Sequence, residues 1–149
     1  MLHRLTHHLK YLPLAAAIAM AGGCAATSDS AKPNASLTNT YWKLTQLDGA
    51  PVAMAPQQER EVRITLTDDG KVTGFTGCNR VMGGYTVAGT ALRFTQLAGT
   101  RMACPPPLMQ LESAVLANLN SVTGYQLDGE KLILLKDGAP VARFESVYL

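Results

Sequence analysis

From Tyr41 onward, apolar and polar residues alternate along the chain. Tyr41-Trp42-Lys43-Leu44-Thr45-Gln46-Leu47 sets large apolar side chains against polar ones, and Asp48-Gly49 turns the chain, which predicts a first strand. Glu61 to Thr67 repeats the pattern, with Val62, Ile64 and Leu66 on one face and Glu61, Arg63, Thr65 and Thr67 on the other, so one face meets water. Asp68-Asp69-Gly70 closes a hairpin into Lys71 to Phe75. Further strands are predicted at Tyr85 to Val87 and, after Ala88-Gly89, at Ala91 to Leu97 with Leu92 and Phe94 inward. Then the period changes. Leu108, Leu111, Val115 and Leu119 recur three and four apart behind Pro105-Pro106-Pro107. Proline suits a first helical turn, whose N–H groups have no partner within the helix, so one amphipathic helix is expected from Pro106 or Pro107 to Asn120. Gly124 to Leu127, Lys131 to Leu135 and Val141 to Val147 read as three strands joined at Asp128-Gly129 and Asp137-Gly138. The fold class is α+β: a mostly antiparallel, curled, barrel-like sheet of about eight strands packed with one helix.

Two stretches interrupt the alternation. Ala50 to Gln58 carries Pro51 and Pro56 and is expected to be a loop. Thr73 to Tyr85, TGFTGCNRVMGGY, places Gly74, Gly77, Gly83 and Gly84 around Cys78 and Asn79. Glycine permits positive φ or close backbone approach, and asparagine bonds its own backbone, so a tight, fixed loop is predicted. Trp42, the only tryptophan, is assigned to the core.

Upstream of Tyr41 the composition is different. Residues 1–10 hold Arg4, Lys10 and no acid, an apolar run follows from Tyr11 to Met20, and small residues come next; residues 1–23 read as a signal peptide. The run is about half the ~20 residues a spanning helix needs. Ala21-Gly22-Gly23-Cys24 resembles the bacterial lipobox, with Ala21 where that pattern prefers leucine, so Cys24 is the expected lipidation site. Ala25 is not the aspartate that retains lipoproteins in the inner membrane, and the expected location is the outer membrane, with the domain on the periplasmic side; a soluble periplasmic protein is the alternative. Residues 24–39 supply the anchor and a polar tether, and residues 40–149 the domain.

Charge and residue inventory narrow the chemistry. Of thirteen basic residues, Arg4 and Lys10 lie in the leader, which leaves eleven against eleven acids and no basic footprint for nucleic acid. His3, His7 and His8 also lie there, so the mature chain has no imidazole for acid–base catalysis or metal binding. No phosphate-binding glycine loop, nucleophile elbow or Ser-x-x-Lys pair occurs, and no enzyme activity, cofactor or metal is expected. Cys78 and Cys104 remain once Cys24 is lipidated; in an oxidising compartment one disulfide is the simplest reading, with a redox pair and two buried thiols left open. Arg80, Arg101 and Glu112 sit beside the cysteines or on the helix that follows. They are read either as an internal ion-pair cluster or as the lining of a small anion-binding cleft.

Gly77-Cys78-Asn79-Arg80, Gly84-Tyr85 and Thr100-Arg101-Met102-Ala103-Cys104, followed by Glu112 and preceded by Trp42, resemble the META domain of HslJ-like bacterial envelope proteins, over Tyr41 to Leu149. The resemblance implies a small α+β domain, often exported and lipid-anchored, associated with heat-shock or envelope-stress responses, novobiocin resistance and motility, with no established enzymatic activity. The expected role is that of a monomeric, non-catalytic lipoprotein binding another envelope component. A small-ligand or inhibitor module using a cleft near Arg80 and Arg101 is the alternative, and a thiol redox protein the third.

Overall fold

Nine strands and one helix make up residues 33–148, which are the residues described by this computed structural model. In chain order they are β1 (Tyr41–Leu47), β2 (Ala50–Pro51), β3 (Arg63–Leu66), β4 (Lys71–Phe75), β5 (Arg80–Ala88), β6 (Ala91–Gly99), α1 (Pro106–Ser121), β7 (Gly124–Asp128), β8 (Lys131–Lys136) and β9 (Ala139–Val147). Every strand pairing is antiparallel, as short hairpin connections dictate. β1 pairs with β3 on one side and with β9 on the other, so the sheet closes into a ring. The weakest join is β6 to β7, held by the single register pair Ala91 with Gly124, and it falls where α1 is inserted between them.

Alternation puts the core inside the ring. Trp42 and Leu44, Ile64 and Leu66, Val72, Leu92 and Phe94, Leu132 and Leu134, and Phe144 form one cluster. Val115 and Leu119 from α1 join it. Trp42 is fully buried and its indole N–H donates to Leu37 O at 3.0 Å, which satisfies the one polar atom its burial would strand. That acceptor lies upstream of β1. Ala35 N donates to Gly129 O at 2.7 Å, Asn39 N to Leu66 O at 2.7 Å, and Leu37 packs on the core, so the last residues assigned to the tether lie against the sheet. Cys24 and the leader lie outside the described residues.

Two sequence expectations need correction. Ala50–Pro51 is a two-residue strand against β1, where Val52 N also reaches Thr45 O at 2.9 Å, and this makes nine strands. The glycine-rich stretch is mostly sheet: β5 begins at Arg80 and contains Gly83 and Gly84, leaving only residues 76–79 as a turn. Of its four glycines only Gly77 has positive φ. The others permit close approach, since a Cβ on Gly74 would meet Arg63 O and one on Gly83 would stand 2.8 Å from Thr95 O, beside the bulge at which the β5–β6 register shifts.

Candidate functional site

The turn between β4 and β5 carries Gly77, Cys78 and Asn79, and it meets α1 and the segment leading into it. Thr76 N donates to Asn79 O at 2.9 Å, which closes the turn, and Gly77 takes φ +106° with Leu111 packed over it. Cys78 is joined to Cys104 by a disulfide, which answers the question the sequence left open. Asn79 is 3% exposed and spends its whole carboxamide. Its Nδ2 donates to Glu112 Oε1 at 3.0 Å and Met102 O at 3.3 Å, while Oδ1 accepts from Thr100 Oγ1 at 2.9 Å and Met102 N at 2.7 Å. Glu112 reaches across from the helix: its Oε2 accepts from Asn79 N at 2.9 Å and lies 2.6 Å from Thr76 Oγ1.

Glu112 therefore serves the turn and not an arginine, which corrects the ion-pair cluster expected for Arg80, Arg101 and Glu112. Among the described residues neither arginine makes an ion pair or a side-chain hydrogen bond, and both are exposed. The physical reason lies in which groups need a partner. A buried amide and a buried hydroxyl cost about 1–3 kcal/mol each if left unsatisfied, whereas an exposed guanidinium is solvated by water.

The remaining motif residues are also structural. Thr100 accepts from Arg80 N at 3.2 Å, and Thr100 N donates to Arg80 O at 3.1 Å, extending the β5–β6 ladder. Tyr85, 8% exposed, donates its hydroxyl to Thr67 O at 2.8 Å, and burial raises its pKa. A Cβ on Gly84 would meet Thr95 Oγ1 at 2.8 Å.

Arg80 and Arg101 do share a cleft. It has a volume of about 320 Å³ and is bounded by Asn79, Leu97, Thr100 and Glu112 together with the two arginines. No group of three His, Cys, Asp or Glu side chains among the described residues is placed to hold a metal. Arg80 also borders two neighbouring hollows on the outer sheet face, whose other walls include Arg60, Arg63 and Phe75. The sequence pattern put Arg63 on a wet strand face and Phe75 at a strand end and gave none of the three a role. The signal was present in β4, where Phe75 continues the polar face set by Lys71 and Thr73.

Residues 35–148 match the META domain. No curated protein matches the chain. Among solved structures, a protein from Burkholderia xenovorans solved by NMR is 33% identical with a TM-score of 0.59, the match covering 76% of this chain and 85% of that one. A second protein solved by NMR is 22% identical over 71% of this chain and 87% of its own, with a TM-score of 0.57. The crystal structure of a DUF4847 family protein from Bacteroides vulgatus, 16% identical over 76% of this chain and 94% of its own, has a TM-score of 0.55. At these identities the latter two share the fold alone.

Proposed function

The chain belongs to the META domain family, and from that premise we propose that it is a non-catalytic binding domain, tethered to the outer membrane through lipid on Cys24 and supporting the envelope under stress by holding another envelope component. One observation carries this reading: the polar side chains of the family motif are consumed by the lock around Asn79, while the side chains of Arg80 and Arg101, without a partner among the described residues, stand at the edge of an open cleft. A catalytic site needs a group that can exchange protons or electrons with a substrate. Among the described residues, Cys78 and Cys104 are bonded to each other and the one carboxylate lining the cleft, Glu112, is engaged by Thr76 and Asn79. Guanidinium groups without internal partners suit recognition of carboxylate or phosphate, and the same cleft supports the second reading, a small-anion binder.

A photocrosslinker at Ala98, which lines the cleft, tests the first reading in intact cells. It should capture a discrete envelope component that Arg80→Met with Arg101→Met abolishes, while the same probe at Gln126 captures nothing comparable. A turnover that disappears in Glu112→Gln with the melting curve unchanged would overturn it. Mass spectrometry of membrane-extracted protein checks the anchor, which an unmodified Cys24 would remove.

A further inference from the structure

Phe75 faces the wrong way for a buried aromatic. In β4, Val72 and Gly74 point into the ring, Gly74 being paired with Ile64 and Val81, while Lys71 and Thr73 are exposed. Phe75 shares the outward parity, and its register partners are Arg63 on β3 and Arg80 on β5. Yet it is only 9% exposed, and it stands outside the core cluster. Two adjoining hollows of about 300 and 320 Å³ both have Phe75, Arg60 and Arg80 in their walls; Met102 closes one and Arg63 and Met82 the other.

The chemistry of this place is unusual for a domain whose charges balance. Four of the arginines (Arg60, Arg63, Arg80 and Arg101) gather around these hollows and the neighbouring cleft, and only Arg93 and Arg143 of the described residues lie elsewhere. The side chains of Arg60, Arg63 and Arg80 make no ion pair or hydrogen bond among the described residues, Arg63 resting instead 4.9 Å from the Tyr41 ring centroid. Among the described residues the one carboxylate along the two hollows is Glu59. Gln58, 8% exposed, holds the segment bearing Arg60 in place, accepting from Ala55 N at 2.9 Å and donating to Arg60 O at 2.6 Å. Met82 and Met102, 57% and 61% exposed, are adaptable apolar walls.

From this arrangement we propose that the outer face of β3, β4 and β5 is a second binding site, for a small organic anion in which a carboxylate or phosphate is attached to a flat apolar group. The flat group lies against Phe75 between the two methionines, and the anion is shared by the guanidinium groups of Arg60, Arg63 and Arg80. Neither half suffices. Exposed guanidiniums hold a bare anion weakly in salt, and a hollow of this size buries little apolar area by itself. Together they select an anion that carries its own apolar face. The site rests on the reading of the domain as a binder but not on any envelope partner.

Titrating the full chain with phenyl phosphate, inorganic phosphate and phenol, followed by NMR shifts of the Phe75 ring and the arginine Nε–H groups, tests it. Phenyl phosphate should bind at least tenfold tighter than either fragment and move those resonances together. Arg60→Gln with Arg63→Gln, two changes outside the core, should weaken it at least tenfold while lowering the melting temperature by only the few degrees expected from loss of the Arg63–Tyr41 contact. Phe75→Leu should bring phenyl phosphate down to the level of inorganic phosphate. Equal binding of phenyl and inorganic phosphate, shifts confined to other surfaces, or unaltered affinity in the double arginine variant would each overturn the site. Because the titration needs no envelope partner, its failure leaves the crosslinking result standing, and the reverse also holds.

Discussion

The corner where the β4–β5 turn meets α1 and the two hairpins built from β7, β8 and β9 both reverse the chain, with different materials. The hairpins turn at Asp128-Gly129 and Asp137-Gly138, with φ of +59° at Gly129, +49° at Asp137 and +83° at Gly138, and nothing lies within 4 Å of a Cβ placed on either glycine. Backbone ladders do the rest, unbroken between β7 and β8 and interrupted between β8 and β9 only by the register shift at Leu134 and Leu135. At the corner a helix meets a sheet, and a helix shares no ladder hydrogen bonds with strands. Nor does α1 have a side-chain cap or an acidic residue in its first turn. Side chains must therefore supply the attachment: a disulfide, one asparagine and one glutamate reaching over from the helix. Hairpins fold on local instructions, whereas the corner folds only if distant residues find each other.

Removing the covalent bond should weaken the corner most. Cys78 and Cys104 are 26 residues apart, and closing a loop of that length removes denatured-state entropy worth about 3.5 kcal/mol. Cys78→Ser with Cys104→Ser should lose that amount in urea denaturation. Asn79→Ala comes next, at about 3 kcal/mol, because it leaves Met102 N and part of the Glu112 carboxylate without partners in a half-buried place. The two changes touch the same joint, so the triple variant should lose less than their sum, which a double-mutant cycle on the unfolding midpoints would read. Strict additivity would mean that disulfide and amide fasten independent pieces.

Two glycines, one in each place, differ in what surrounds them. Gly77→Ala meets both a φ of +106° and Leu111 Cδ2 at 2.9 Å, and should cost about 2 kcal/mol as the leucine gives way. Gly138→Ala meets only an unfavourable φ of +83° in open space, and should cost about 1 kcal/mol. Equal losses in thermal unfolding would remove the distinction between a corner packed from outside and a turn free of neighbours.

The same division explains what could be read from the residues in order. Alternation and turn chemistry located nearly every strand, and the three- and four-residue spacing located α1, which opens at the first of the two prolines expected to start it, because both signals are local. The ring closure of β9 on β1 was legible only as curl, since no local pattern names a partner a hundred residues away. Gly83 and Gly84 misled the reading because a glycine serving close approach across a bulge looks, in sequence, like one serving a turn. At the site, the motif residues were found but Glu112 was matched with the wrong partner. Opposite charges suggest an ion pair, whereas the fold set this carboxylate against the buried amide and hydroxyl of Asn79 and Thr76.

The smallest effect separates the sheet's outer face from the corner by pH. Tyr41 Oη donates to Glu61 Oε1 at 2.5 Å, and this bond is the main reason the Glu61 carboxyl titrates below its ordinary value. A depressed carboxylate pKa gives stability that is present above the unfolded value of about 4.3 and lost as pH falls through the folded one. Tyr41 is raised, by burial first and by the same bond second, so its contribution is complete below about pH 10 and fades as pH climbs through the raised value. Tyr41→Phe should therefore flatten both ends of the stability profile, measured as urea midpoints at acid, neutral and alkaline pH. It should not flatten them completely. Asp69, lowered by the hydrogen bonds from Lys71 and Thr67, still titrates on the acid side, and Tyr85, raised by burial, on the alkaline side. Asn79→Ala, by contrast, should lower the whole profile and leave its ends sloped as before. If Tyr41→Phe shifted the curve uniformly instead, the pairing with Glu61 would contribute packing and no charge.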